Sequence, residues 1–285
     1  MLREIRELGF EYAELSHGIR ISLLPGIFDA VDAGEIKIST LHNFCPLPMG
    51  VNHAAPNVFK FTSSDRWERE NAIKHTLKTI ETAARLKARL VVLHMGQITM
   101  RDYTDKLLSM VEKEEQNSRK FEKLIQEAME KRERRKEKYI DRADELLKIF
   151  VEAAAKEGIM LGVENREAME EIPLEGDFPF WLKNQPAETV GYWHDTGHAQ
   201  IKENLGLLVH RLHLENMGER LQGFHIHDVK FPGRDHQEPG TGCIDFASLK
   251  PFVKPEHIKV FEFSPSLTRE AVERGTRYVM DLWGD

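Results

Sequence analysis

Short apolar runs rich in β-branched residues recur along the chain, separated by segments of helical spacing. Each run is seven to ten residues long, and together they lie at residues 10–17, 36–44, 89–96, 159–165, 190–199, 221–230 and 258–265. Apolar runs of this length, bounded by turn residues, are typical of strands buried on both faces of a sheet. The helical segments between most of them favour crossover connections and a parallel sheet. The pattern therefore predicts an α/β fold of the TIM-type (β/α) barrel class.

The number of strands is one short of a standard barrel. A TIM-type barrel has eight strands, whereas the pattern supplies seven, and a short helix at residues 2–8 precedes the first of them. We therefore expect a barrel that lacks its first strand. Either the start lies upstream of Met1, or the barrel is open and its two edge strands need cover. Unpaired edges favour pairing with another chain, so a homo-oligomer is an expectation.

A highly charged segment at about 101–142 interrupts the alternation. Between Glu112 and Arg142 it carries 11 basic and 9 acidic residues at helical spacing. The favoured interpretation is a solvated helix or helical hairpin inserted into the barrel. The alternative is an arm for oligomerisation or for binding a partner. The segment carries one apolar stripe, which consists of Leu107, Met110, Phe121, Leu124, Ile125, Ala128 and Met129. Such a stripe has to be covered by another surface, either within this chain or on another subunit.

Composition narrows the function classes. A length of 285 residues suits a single barrel domain spanning 1–285, with the insertion included. The net charge of −7 argues against a nucleic-acid partner, which usually selects a basic surface. Only two cysteines are present, as in proteins of a reducing cytoplasm. No apolar run reaches the roughly 20 residues needed to cross a bilayer, so we expect a cytoplasmic protein with no membrane contact.

Acidic residues and histidines follow the predicted strands at their C-terminal ends. Glu164 and Glu262 each end an apolar run, and Asp195 and His198 lie three residues apart after another. His225 and His227 share one face at the end of a fourth, and one of the two is the expected ligand. In a barrel these strand ends converge on one face, where active sites are built. Carboxylate and imidazole groups are good ligands for a divalent metal. The pattern predicts a metal site at that face, and Mn, Mg and Zn all remain open.

Further histidines allow more than one interpretation. His42 and His94 end consecutive strands and either form hydrogen bonds or join Glu164 in a second metal site. His198 either binds metal or contacts a substrate hydroxyl group. Arg234 and His236 lie in a Gly-rich loop that is able to close over a substrate.

Outside the predicted site, the remaining histidines suggest structural roles. We expect His194 to point away from the site, because neighbouring strand residues alternate between faces. We expect His53, His75, His210, His213 and His257 to lie at the surface.

Several motifs resemble those of one group of enzymes. LHNF, VVLHMG, LGVENR, HDTGHA, GFHIHD, HQEPGTGCIDF and VFEFSP are similar to motifs of the xylose isomerase-like barrel superfamily. That superfamily includes the sugar phosphate isomerases and epimerases and the endonuclease IV-type AP endonucleases. The resemblance covers nearly the whole chain except residues 101–142. It is specific for the superfamily and poor at choosing the activity.

The resemblance to the epimerases implies one catalytic metal. It assigns the four ligands to Glu164, Asp195, His225 and Glu262, and it makes the two glutamates the acid and base that move a proton through an enediolate. We therefore predict a metal-dependent isomerase or epimerase acting on a sugar or sugar phosphate. Contacts with that substrate are expected from His42, His94, His198, Arg234 and His236.

Two alternatives compete with this prediction. The endonucleases bind three zinc ions, and His42 and His94 match ligands of the first, while His198 and His236 match ligands of the third. Arg234 stands where that pattern has an aspartate, which puts the third zinc site in doubt; a positive charge there would suit a phosphate or carboxylate. The other alternative is a non-catalytic binding protein on a decayed barrel. Metal content distinguishes the three.

Overall fold

Seven strands form the main sheet of the protein, in the order β1-β2-β3-β4-β5-β6-β9. This computed structural model describes residues 1–284. The strands lie within the apolar runs of the sequence, and each strand is shorter than its run. Their bounds are β1 Tyr12–Leu15, β2 Lys37–His42, β3 Leu90–Leu93, β4 Met160–Glu164, β5 Val190–Asp195, β6 Leu221–Ile226 and β9 Ile258–Phe261.

The register pairs consecutive strands in parallel. Leu41 of β2 faces Val91 of β3, and Asp195 at the end of β5 faces His225 near the end of β6. Parallel neighbours in chain order require crossover helices, which the amphipathic segments supply. Among residues 1–284, β1 and β9 stand at the two ends of the strand order, as expected for a sheet of seven strands. The predicted α/β class and TIM-type strand arrangement are confirmed.

Eleven α-helices accompany these strands within the described residues, and several begin at a residue whose side chain caps them. Asp65 accepts a hydrogen bond from the backbone N–H of Trp67 and so caps the helix Arg66–Arg85. Asp195 accepts the backbone N–H of His198 and caps the helix Thr196–Asn204. The helices are α1 Leu2–Glu7, α2 Leu24–Asp32, α3 Arg66–Arg85, α4 Thr104–Glu112, α5 Arg119–Glu133, α6 Glu137–Glu157, α7 Phe178–Lys183, α8 Thr196–Asn204, α9 His210–Met217, α10 Phe246–Leu249 and α11 Arg269–Trp283.

A small hairpin forms where the sequence pattern predicts only a loop, within residues 231–243. The strands β7 (Asp228–Lys230) and β8 (Arg234–Gln237) pair antiparallel. The expected strand 221–230 is therefore two strands, separated at His227. The polar sequence of β8 carries no apolar alternation, which is why the pattern missed it.

Backbone contacts divide the chain into two compact units. The first contains residues 1–96, 138–164 and 182–191, and the second contains 97–137, 165–181 and 192 onward. The prediction of a single domain over 1–285 stays a prediction. No helix of the described residues is long and apolar enough to cross a membrane.

The charged insertion is covered within the second unit. Helices α4 and α5 bury most of the predicted apolar stripe in a cluster with Met169 and Leu205, while Ile125 and Met129 pack against it partly buried. The covering surface is thus supplied by this chain. The buried members of the stripe are Leu107, Met110, Phe121, Leu124 and Ala128.

Polar contacts tie the insertion to the loop that follows β4. Arg132 is fully buried, lies 2.5 Å from Asp177 Oδ2, and donates to the carbonyls of Met169 and Glu171. Glu170 accepts hydrogen bonds from the backbone N–H of Tyr103 at 2.7 Å and from the Thr104 hydroxyl at 2.7 Å. These bonds link the insertion to residues 169–177 of that loop.

Candidate functional site

Asp195 occupies the end of β5 and is fully buried. Its Oδ1 accepts the backbone N–H of His198 at 2.7 Å, the bond that caps α8. Its own backbone is held twice by the side chain of Asn165: the Asp195 N–H donates to Asn165 Oδ1 at 2.7 Å, and Asn165 Nδ2 donates to the Asp195 carbonyl at 3.0 Å. The backbone of Asp195 and its Oδ1 atom are thus fixed by hydrogen bonds within the second unit.

His225 and Glu262 lie beside Asp195 in the second unit. His225 Nδ1 is 3.2 Å from Glu262 Oε2 and 3.9 Å from Asp195 Oδ2. One ligand atom from each of the three residues lies within 4.8 Å of the other two. Ligands held about 2.1 Å from one ion at a tetrahedral angle lie roughly 3.4 Å apart. The donor set, two carboxylates and an imidazole, therefore fits a divalent metal in both spacing and chemistry.

The electrostatics of Glu262 favour its charged form. Burial alone would raise the pKa of this carboxyl, but the neighbouring His225 and His236 outweigh burial and hold the pKa well below its usual range. Glu262 is placed just after β9 by a hydrogen bond from its backbone N–H to the carbonyl of Ile226. The strand end thus presents an ionised carboxylate.

His236 reaches Glu262 from the hairpin. It has a positive φ of 53°, its Nδ1 lies 3.1 Å from Asp235 Oδ2, and its Nε2 lies 3.7 Å from Glu262 Oε1. Burial lowers the pKa of His236, but hydrogen bonds to Asp235 and Glu262 outweigh burial and raise the pKa to about 11. The hairpin therefore places a cation beside Glu262. Arg234, two residues earlier, is exposed.

His198 begins α8 and is also buried. Its Nδ1 lies 3.0 Å from the carbonyl of Asn165, so in the neutral ring this nitrogen carries the proton and Nε2 is an acceptor. One guanidinium nitrogen of Arg166 lies 3.2 Å from Nδ1 and 3.4 Å from Nε2, against the side of the ring. A ligand atom of His198 also lies within 4.8 Å of ligand atoms of Glu167 and Asp235.

A second group of ligands lies in the first unit. Nε2 of His42 is 3.8 Å from Glu164 Oε2, and Nε2 of His94 is in close contact with the same oxygen. His42 Nδ1 lies 2.9 Å from the Asn43 carbonyl, so it carries the proton, and the Nε2 lone pair faces the carboxylate. A lone pair facing a carboxylate is favourable only when a proton or a cation lies between them. These three residues therefore also have the chemistry of a metal site.

His194 points to the opposite face of β5, as expected, and enters a buried imidazole cluster. The Tyr192 hydroxyl lies 2.8 Å from His194 Nδ1 and 2.7 Å from His213 Nε2, and His194 Nε2 lies 2.7 Å from His210 Nε2. The surface positions expected for His210 and His213 are wrong: their exposures are 3% and 6%. Each imidazole forms hydrogen bonds with another ring or with the tyrosine hydroxyl instead of with water, and these bonds permit its burial.

The other three histidines that we expected at the surface differ in their exposure. His257 is buried, so that expectation is also wrong, whereas His53 is exposed and His75 is half-buried. His257 Nδ1 accepts the backbone N–H of Lys254 at 3.2 Å, and its ring packs against Phe224. As in the imidazole cluster, a local partner makes the burial of a polar ring possible.

Asp228 has a structural role that the HIHD motif did not indicate. Its carboxylate accepts four backbone N–H groups, from Val229, Gly240, Gly242 and Ile244, at 2.8–3.1 Å. Asp228 thereby organises the turn after the hairpin, where a Cβ on Gly242 would overlap its carboxylate.

Sequence reasoning missed Asn165 and Arg166, which follow Glu164 in the stretch ENR, so the only signal was adjacency to a predicted ligand. The stretch HIH offered His227 as an alternative ligand to His225. His227 is fully buried, and its Nε2 lies 3.0 Å from Asp195 Oδ2.

Comparison with known proteins identifies the family of this chain. The profile of the xylose isomerase-like TIM barrel family matches residues 2–264. The chain belongs to this family. Comparison with curated proteins gives no match.

Solved structures give the same fold. A D-tagatose 3-epimerase-like protein matches with a TM-score of 0.68 at 18% identity, covering 98% of this chain and 90% of the other. The 3-keto-D-glucoside 4-epimerase of E. coli matches with a TM-score of 0.66 at 14% identity, covering 98% and 92%. The IolI protein, solved with a zinc atom, matches with a TM-score of 0.67 at 16% identity, covering 100% and 93%. At these identities the likeness shows the xylose isomerase-like fold alone.

Proposed function

We propose that this protein is a metal-dependent isomerase or epimerase of a sugar or sugar phosphate. The observation that supports it most is the convergence of ligand atoms from Asp195, His225 and Glu262 within 4.8 Å of one another. Membership of the xylose isomerase-like family adds to it, as do the sugar epimerases among the structural neighbours.

In this proposal Glu164 is the fourth ligand. It ends β4, which precedes β5 in the strand order, and so occupies the position equivalent to that of Asp195 on the next strand. A divalent ion such as Mn²⁺, Mg²⁺ or Zn²⁺ would supply positive charge that stabilises the oxygens of an enediolate.

The two glutamates carry the proton transfers. One carboxylate removes the proton from the carbon next to the substrate carbonyl, and the electron pair of that C–H bond forms the double bond of the enediolate. The other carboxyl group returns a proton, to the opposite face for an epimerisation or to the neighbouring carbon for an isomerisation. We assign these steps to Glu164 and Glu262.

Substrate hydroxyl groups need directed polar partners around these carboxylates. We assign this role to the strand-end histidines and the hairpin. His198 supports it, because the Asn165 carbonyl and the Arg166 guanidinium group together hold its ring in one orientation at the start of α8. The full set is His42, His94, His198, Arg234 and His236.

The test measures exchange of the substrate proton with solvent. NMR in D₂O monitors this exchange for a panel of ketoses and their phosphates. Glu164→Gln and Glu262→Gln keep the side-chain volume and remove a proton carrier, so turnover should fall by about 10²–10⁴-fold. Glu152→Gln, on an exposed position of α6, is the matched control. A near-normal rate in either site variant with metal bound would exclude the two-glutamate mechanism.

A second candidate is a zinc-dependent phosphodiesterase of the endonuclease IV type. The specific observation in its favour is the additional group His42, His94 and Glu164 in the first unit, with a lone pair directed at the carboxylate. Metal analysis of the purified protein separates the candidates. One ion per chain supports the isomerase, whereas three zinc ions together with cleavage of abasic DNA would support the phosphodiesterase.

The cellular setting follows from composition. We infer a cytoplasmic protein that acts on a small molecule, without nucleic acid or membrane as a partner, because the net charge is −7 and only two cysteines are present. A homo-oligomer fits the two edge strands of the sheet.

A further inference from the structure

His227 has a defined partner for each of its ring nitrogens. Nε2 lies 3.0 Å from Asp195 Oδ2, and Nδ1 lies 2.9 Å from the backbone nitrogen of His236. A backbone N–H only donates, so Nδ1 must be the acceptor and the proton of the ring must sit on Nε2. The tautomer therefore follows from the partners: His227 donates to Asp195 and accepts from the hairpin.

The residues after Asp195 hold His227 in place. The Thr196 hydroxyl donates to the His227 carbonyl at 2.8 Å and accepts the His227 N–H at 3.2 Å. A Cβ on Gly197 would overlap the His227 ring, so this position requires glycine for the close approach. The two residues that follow Asp195 therefore position the backbone and the ring of its partner, His227.

The hairpin continues the connection to Glu262. The His236 ring stacks on the His227 ring with centroids 4.2 Å apart and an interplanar angle of 5°. Its Nε2 faces Glu262 Oε1. One buried side chain therefore touches a candidate metal ligand on one side and, on the other, the strand that carries His236.

We infer that His227 is a positioning residue that couples the orientation of Asp195 to the docking of the β7–β8 hairpin. His227 donates to Oδ2 of Asp195, and the His198 backbone N–H donates to Oδ1, so the two bonds together set the orientation of the carboxylate. Nδ1 meanwhile holds the His236 amide so that the His236 ring reaches Glu262. This inference rests on the proposed metal site.

Two isosteric variants separate the two contacts. His227→Asn places an amide oxygen near the Nδ1 position and removes the donor to Asp195. His227→Gln places an amide N–H near the Nε2 position and removes the acceptor for the His236 amide. Mn²⁺ affinity, measured by isothermal titration calorimetry, reports the first contact, and hydrogen exchange of the His236 amide reports the second.

The expected results are opposite for the two variants. His227→Asn should weaken Mn²⁺ binding by about 10–100-fold, the usual effect of losing a residue that orients a ligand, and should keep the His236 amide protected. His227→Gln should bind Mn²⁺ nearly as the wild type does and should lose that protection. Equal effects of both variants on both measurements, or no effect of either, would overturn the inference.

A third variant decides the matter if the ring substitutions prevent folding. Thr196→Val keeps the imidazole and removes only the hydroxyl that holds the His227 backbone. It should weaken Mn²⁺ binding and speed exchange of the His236 amide, and no change in either would also overturn the inference. If the wild type itself binds no metal, the proposed function fails instead, and the exchange of the His236 amide still tests the hairpin contact.

Discussion

The buried imidazole cluster should make the protein sensitive to mild acid. His210 and His213 are neutral in the folded chain, since burial and, for His210, the neighbouring ring lower their pKa values from the ordinary 6.5 to about 3 and about 4. In the unfolded chain both rings take up protons as the pH falls through 6.5. The folded-state pKa values are depressed, so this part of the stability is complete above pH 6.5 and is lost as the pH falls towards 4.

The size of the effect follows from the linkage relation. Each group that is protonated only in the unfolded state changes the free energy of unfolding by about 1.4 kcal/mol per pH unit. His210 and His213 together therefore remove roughly 2–3 kcal/mol between pH 6 and pH 5, a large part of the about 5–15 kcal/mol that stabilises a typical domain. Most unfolded-state carboxyl groups stay ionised in this window, because their ordinary pKa values lie near 4.

Urea unfolding at closely spaced pH values measures the slope directly. His213→Gln keeps a side chain able to bond the Tyr192 hydroxyl and removes one titrating ring, so the slope between pH 6 and pH 5 should fall by about 1.4 kcal/mol per pH unit. His53→Gln, at an exposed position, is the control and should keep the wild-type slope. An unchanged slope in His213→Gln would show that this ring is not held neutral by burial.

Two further predictions concern the insertion and the sheet edges. Arg132→Ala should lower the free energy of unfolding by about 3–5 kcal/mol in urea titration, because the largely buried carboxylate of Asp177 loses one of its cationic partners. The control is Arg134→Ala, in an exposed pair with Glu130, which should change the free energy of unfolding by less than about 1 kcal/mol. Equal losses in the two variants would contradict this account. The edge strands β1 and β9 should promote self-association, visible as a mass above that of one chain in light scattering; a strictly monomeric protein with both edges open to solvent would refute that expectation.

The sequence was most informative where one strong periodicity acts alone. The seven apolar runs predicted the seven strands of the sheet, and the helical stripe from Leu107 to Met129 predicted the buried face of the insertion. Both signals come from hydrophobic burial, which acts on side chains whatever their exact partners are. The spacing of ligands at strand ends likewise identified Asp195, His225 and Glu262 as neighbours.

Polar contacts between distant residues were harder to predict. His210 and His213 have the spacing of an exposed helical face, and the partners that allow them to be buried, His194 and Tyr192, lie 16 and 21 positions earlier. The hairpin strand β8 has no apolar alternation, because backbone pairing with β7 and the contacts of His236 form it instead. Such pairings depend on geometry that a single sequence does not reveal.

The contacts between the insertion and the loop after β4 make that part of the site slow to organise and easy to alter. Tyr103 and Glu170 are 67 positions apart, and Arg132 and Asp177 are 45 apart, so the loop acquires its final shape only after long-range closure of the chain. The strand ends that carry Asp195 and His225 depend on the sheet instead. Variation in α4 and α5 would thus provide an evolutionary route to new substrate preferences that leaves those strand ends unchanged.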